Sequence, residues 1–126
     1  MDKGKNTVII EEIIEKYSGK METPEVFSRF KGPCGDEMEF YLRFKDGTIS
    51  GIKYHTSGCG WTSACGAIVC FYADGRNIEE ALFISPGLIS KTLGGLPPDH
   101  EHCPILACSS FYSALGKWMV CEKNGK

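Results

Sequence analysis

Hydrophobic residues along this chain change their spacing twice, and the changes divide it into three stretches. In the first, Ile10, Ile13, Ile14 and Tyr17 fall at i, i+3, i+4 and i+7, with Glu11, Glu12 and Glu15 on the other side. That pattern predicts an amphipathic helix, capped by Asn6 and closed by Ser18-Gly19-Lys20. Thr23-Pro24-Glu25 reads as a cap followed by proline at the first helical position, which predicts a short helix to about Phe30. From Glu37 the period becomes two. Met38, Phe40, Leu42 and Phe44 alternate with Glu39, Tyr41, Arg43 and Lys45, the signature of a strand with one buried face. Asp46-Gly47 is a strong hairpin signal, and Thr48 to His55 returns as the partner strand, with Gly51 a bulge between Ile49 and Ile52. The 23–30 segment is also placed to pair with an edge of this sheet.

The third stretch is helical. Thr62 or Ser63 caps a helix over Ala64 to Ala73, stopped by Asp74-Gly75. Asn77-Ile78-Glu79-Glu80 carries a capping-box pattern, and Ser85-Pro86 opens another helix that Gly94-Gly95 ends. Ile105, Cys108, Tyr112, Leu115 and Met119 form the stripe of a long closing helix. Strands followed by helices predict an α+β fold in two layers, with helices on one face of a small antiparallel sheet of about three strands. The 126 residues suit one domain. Within it, 1–31 is an N-terminal helical segment, 32–120 the core and 121–126 a frayed tail.

Charge narrows the function classes. A net charge of -2, a pI near 5.9 and no Lys/Arg cluster interleaved with aromatics argue against a nucleic-acid binder. No run has the length of a membrane span, and the acidic residues after Ile10 do not suit a signal peptide, so a cytoplasmic protein is expected. Cysteine is the anomaly. Seven of them, an odd number with no secretion signal, suit metal or redox chemistry better than a disulfide framework. No CxxC pair occurs, which disfavours zinc ribbons and thioredoxin-type chemistry. Any shared site must be assembled by the fold.

Three turns carry the candidate chemistry: Gly32-Pro33-Cys34-Gly35-Asp36, Ser57-Gly58-Cys59-Gly60, and Leu96-Pro97-Pro98-Asp99-His100-Glu101-His102-Cys103-Pro104. A thiol ligates as the thiolate, which a helix N-terminus favours, and Cys103 stands where the last helix begins. Cys59 lies three residues before the expected cap of its helix. Cys34 enters the first hairpin strand and Cys59 leaves the second, so the hairpin makes them neighbours. Three thiolates with a weaker ligand, Asp36 or His102, would complete a four-coordinate Zn²⁺ or a 2Fe–2S unit.

In order and in register, these motifs resemble those of the IscU/NifU-type iron–sulfur cluster assembly scaffolds, over roughly Gly32 to Trp118. The resemblance implies a scaffold, not an enzyme, that takes sulfur from a cysteine desulfurase and takes up iron. It builds a labile cluster and passes it to apo iron–sulfur recipients; whether one chain or a homodimer holds the cluster stays open. Cys34, Cys59 and Cys103 match the family's cluster cysteines, Asp36 its aspartate and His102 its histidine. Asp36 is then an exchangeable hard ligand that permits release, and Cys103, beside His102, the persulfide acceptor. The family's chaperone motif runs Leu-Pro-Pro-Val-Lys, whereas Asp99-His100 follow Pro98 here, so an Hsp70-type chaperone is not implied. Two rivals remain: a zinc-bound persulfide relay acting through Cys103, and a zinc-stabilised interaction module.

The remaining candidates have plainer expected roles. His100 and His55 are expected to be solvated, and Asp99 and Glu101 to form an acidic rim. Cys65, Cys70 and Cys108 are expected as small core residues, with Cys65 also placed as a spare ligand or relay. Trp61 and Trp118 are expected to pack, Trp61 also as a lid over the site.

Overall fold

Alternation at two-residue spacing builds the sheet. The computed structural model describes residues 9–33 and 35–124, the last three as backbone alone; Asn6, the expected first cap, and Cys34 lie outside the described residues. Strands β2 (Glu37–Lys45) and β3 (Thr48–Thr56) form an antiparallel hairpin closed by Asp46 and Gly47. Their φ values of 55° and 77° suit the mirror-image turn that a two-residue hairpin loop requires. Gly51 faces Arg43 while Ile49 faces Phe44, so Ser50 is the extra residue of a bulge one position before the expected glycine.

The 23–30 segment is a strand, not the expected short helix. Strand β1 (Val26–Lys31) pairs antiparallel with β2, aligning Phe27 with Tyr41 and Arg29 with Glu39. Thr23 does not cap a helix; its carbonyl accepts from Arg43 Nε at 3.0 Å. Glu25 Oε1 accepts from the Phe44 backbone N–H at 2.6 Å. Val26 and Ser28 are buried while Phe27 and Arg29 are exposed, so the segment's period is two and sheet pairing outweighs the Thr-Pro signal. Residues 1–31 are therefore not a helical segment throughout.

The sheet order is β1-β2-β3. One face, made of Val26, Met38, Phe40, Leu42, Ile49, Ile52 and Tyr54, packs under helices α2 (Gly60–Ala73) and α5 (Cys103–Asn124). Helix α1 (Ile10–Tyr17) precedes the strands and lies against α2, with Tyr17 Oη donating to Asp74 at 2.7 Å. Short helices α3 (Ile78–Ala81) and α4 (Pro86–Leu93) complete this layer. Asn77 and Glu80 close the capping box, Ser85 caps α4, and Gly94 ends it at φ 78°. The fold is α+β with helices on one face. Helix α5 continues through Asn124, past Cys121, where a frayed tail was expected. Among the described residues no helix is long and apolar enough to cross a membrane.

Gly66 sets how closely α2 approaches the sheet. A Cβ there would lie 2.6 Å from Tyr54 Cδ2 and 3.1 Å from the sulfur of Met38, both fully buried. Tyr54 is held by a 2.8 Å hydrogen bond between its hydroxyl and that of Ser63, so it cannot simply swing away. Gly66→Ala should therefore cost about 1–3 kcal/mol of stability, as overpacking does. Chemical denaturation checks this, and an unchanged midpoint would mean that the α2–sheet contact can widen freely.

Candidate metal centre

The hairpin's open end is sewn shut before the site begins. Thr56 Oγ1 donates to the Glu37 carbonyl at 2.6 Å, the Glu37 N–H to Ser57 Oγ at 3.1 Å, and the Ser57 N–H to the Glu37 carbonyl at 3.2 Å. These bonds hold the turn bearing Asp36 beside the turn bearing Cys59. In the first turn the Gly32 N–H reaches the Asp36 carbonyl at 2.8 Å and Gly35 adopts φ 94°. Gly32 is buried 3.3 Å (as a Cβ would measure it) from Leu106 of α5, which docks this turn on the start of the closing helix.

Cys59 is the N-cap of α2, not a residue three positions ahead of it, because the helix begins at Gly60. The backbone N–H of Thr62 lies against its sulfur and, with smaller help from the Thr62 hydroxyl and the Trp61 N–H, holds the thiol below the ordinary cysteine range despite partial burial. On the far side of the site a 3-10 turn at Pro98–His100 leads into α5, whose first residue is Cys103. Cys59 is exposed and Cys103 fully buried.

The side chains converge. His100 Nδ1 lies 3.7 Å from Cys59 Sγ and 4.0 Å from Cys103 Sγ, and the three ligand atoms fall within 4.8 Å of one another. A tetrahedral ion with bonds of about 2.0–2.3 Å spaces its ligand atoms roughly 3.5–3.8 Å apart, so small adjustments would close this set on a metal. His102 Nε2 is 4.0 Å from Cys103 Sγ. Of the residues expected at the site, Cys59 and Cys103 come together, His102 lies beside the Cys103 sulfur and Asp36 is reached through the Thr62 hydroxyl; Cys34 lies outside the described residues.

Two residues at the centre were not expected there. Thr62, read from sequence as a helix cap, is fully buried. Its hydroxyl lies 3.3 Å from Cys103 Sγ, 3.7 Å from Cys59 Sγ and 3.5 Å from Asp36 Oδ2, to which it donates. Gly58 makes room for it, since a Cβ there would come within 2.7 Å of the Thr62 side chain. His100, expected to be solvated, is half-buried against both sulfurs and the Trp61 ring, whose centroid is 5.9 Å away. Its signal was the i, i+3 spacing to Cys103. His55 instead faces Glu39 at 3.7 Å on the outer side of the sheet. Cys65, Cys70 and Cys108 are core residues; burial pushes the Cys108 thiol up to about 12 and also raises those of Cys65 and Cys70.

A family model described as the NifU-like N-terminal domain matches residues 8–124. The chain belongs to that family. It is 37% identical over 109 residues to the iron–sulfur cluster assembly scaffold protein IscU 1 of Archaeoglobus fulgidus, covering 86% of this chain and 70% of that one. It is 34% identical over 86 residues to IscU of Haemophilus influenzae, covering 68% of each. A Fervidobacterium islandicum structure, described as a cluster assembly scaffold of the SUF system, shares the fold at a TM-score of 0.69, with 21% identity over 84% of this chain and 93% of that one.

Two outcomes follow from the geometry. In the metal-free protein, iodoacetamide labelling of Cys59 should reach half its plateau below the pH near 8.5 typical of a free cysteine; mass spectrometry at that site reads it, and a midpoint above that value would remove the helix-end effect. Thr62→Val should weaken Zn²⁺ binding about 10-fold, the lower end for losing an outer-shell partner, while Thr62→Ser restores it. Chelator competition decides, and equal loss in both variants would mean that the methyl group, not the hydroxyl, matters.

Proposed function

We propose that this chain is a scaffold on which a labile 2Fe–2S-type cluster is assembled from iron and desulfurase-derived sulfur, then handed to apo iron–sulfur proteins. The observation that carries this reading is the donor set: two thiols and an imidazole within 4.8 Å of one another, with the Asp36 carboxylate reached through the Thr62 hydroxyl at 3.5 Å. Thiolates suit iron and zinc alike, whereas the oxygen donor Asp36 binds a soft-ligated ion less firmly and exchanges more readily. A site that must release its cargo is better served by such a ligand than by a fourth thiolate. Cys34 joins the ligand set on the strength of its place in the first motif.

Accessibility favours a different first acceptor. Cys103 was the expected persulfide acceptor, but it is fully buried, while Cys59 is exposed and its thiol is held low by a helix end. Cys59 is then the first sulfur a desulfurase persulfide meets. Its thiolate attacks the terminal sulfur and releases the desulfurase thiolate, leaving a persulfide on Cys59; two electrons from an external reductant convert that sulfur to sulfide. Cys103 follows only once the turn at Pro98–His100 moves. The chemistry needs reduced thiols, in keeping with a cytoplasmic setting. The protein acts by binding and transfer, without turnover of its own.

Anaerobic reconstitution with iron, cysteine and a cysteine desulfurase should give a red-brown protein with sulfide-to-iron charge-transfer bands, and Mössbauer spectra should report the cluster type. A colourless protein that keeps tight zinc and carries persulfide would favour the zinc relay instead; chelation that unfolds the chain, with no persulfide formed, would favour the interaction module. Asp36→Ala should lengthen the cluster's lifetime, and an equal or shorter lifetime removes Asp36 from release.

A further inference from the structure

The third motif departs from the family pattern at one position that the fold brings into the site. Where the family's Leu-Pro-Pro-Val-Lys carries a lysine, this chain carries His100. The 3-10 turn at Pro98–His100 is pinned by the His100 N–H donating to the Pro97 carbonyl at 2.9 Å, and it directs the imidazole at the two sulfurs. Nδ1 faces Cys59 and Cys103 at 3.7 and 4.0 Å. The other ring nitrogen, Nε2, lies 3.9 Å from the Asp99 carboxylate. A ligating histidine characteristically holds its second nitrogen against a carboxylate, and although 3.9 Å is longer than a hydrogen bond, a small rotation of the exposed Asp99 side chain would close it. Trp61 packs against the ring and limits its rotation.

We propose that Cys59, His100 Nδ1 and Cys103 form a preorganised capture site for a single borderline-soft divalent cation, Fe²⁺ in use and Zn²⁺ or Co²⁺ as probe, and that this site is sufficient without Cys34. Three protein ligands leave a fourth position open to water, to Asp36 across the Thr62 hydroxyl, or to incoming sulfide. His100 is the nitrogen ligand of the captured ion, and Asp99 is a positioning residue that acts through it. The assignment of Fe²⁺ as the natural ion rests on the scaffold reading above; the metal geometry does not.

The test uses metal-free protein carrying Cys34→Ser, titrated anaerobically with Co²⁺ and then Zn²⁺. One Co²⁺ should bind with tetrahedral d–d bands and a thiolate charge-transfer band sized for two sulfurs. Adding His100→Ala should lower Zn²⁺ affinity at least about 100-fold and Asp99→Asn about 10-fold. His100→Lys, the family's residue type, should lose metal as His100→Ala does while keeping the apo protein's thermal midpoint, which separates ligand loss from misfolding. In Zn²⁺-loaded protein without any substitution, long-range ¹H–¹⁵N spectra should place the metal-shifted nitrogen on His100 Nδ1. Unchanged affinity in His100→Ala, or a metal-shifted nitrogen on His102 instead, overturns the proposal. Should Zn²⁺ bind as described while no cluster forms on reconstitution, the capture site stands and the scaffold reading falls.

Discussion

Two helices begin at one edge of the sheet, and the need for both N-termini to face a common point fixes the rest of the site. Helix α2 contributes Cys59 as its cap and α5 contributes Cys103 as its first residue. The helices pack against one another and on the same sheet face, so their starts cannot shift independently. Thr62 stands at the contact, with its one hydroxyl within reach of both sulfurs and of Asp36. Burying a hydroxyl without partners costs roughly 1–3 kcal/mol, so its position is tied to the presence of those groups. The turn carrying Asp36 is bound to the same edge by Gly32 against Leu106 and by the Glu37–Ser57 bonds. Three distant segments thus converge because a sheet edge and two helix ends leave them one place to go.

That convergence is asymmetric, and the asymmetry has chemical content. Cys59 opens to solvent at a positive helix end, while Cys103 is enclosed between α5, Thr62 and the histidine-bearing turn. An exposed thiolate can meet a partner's sulfur; a buried one can anchor what has been delivered. The covering turn is short, bounded by Pro97 and Pro98 on one side and by the start of α5 on the other. A stiff segment of that kind moves as a unit more readily than it melts, since proline already restricts its backbone.

Much of this was legible in the chain because local rules and tertiary demands agreed. Asp46-Gly47 made its turn, Asn77 and Ser85 capped their helices, and the hairpin made neighbours of the motifs at Asp36 and Cys59. The misreadings arose where they disagreed. Thr23-Pro24-Glu25 has the local chemistry of a helix start, but the free edge of β2 offered a whole row of backbone partners and took it as a strand. The α2 cap was displaced because Thr62 and Ser63, good caps in isolation, are used elsewhere: Thr62 on the sulfurs and Ser63 on the Tyr54 hydroxyl. The hub role of Thr62 was hidden because its partners Asp36 and Cys103 are distant in sequence, whereas His100 left a local signal in its spacing to Cys103.

Seven cysteines invite the question of why the site does not spread, and desolvation supplies the answer. Cys65 lies on α2 within electrostatic range of Cys103, Cys108 and Cys59, close enough on that account to compete for the same cargo. Yet ligation requires the thiolate, and enclosure in the apolar core raises the proton affinity of Cys65, Cys70 and Cys108 far above neutrality. At Cys59 the helix end works in the opposite direction. At pH 7 the buried three are overwhelmingly protonated and pack as small hydrophobes, while Cys59 carries a much larger thiolate fraction. Between Cys59 and these three the surroundings thus decide; Cys103, enclosed as they are, differs in standing at a helix start with the Thr62 hydroxyl and the His100 imidazole against its sulfur.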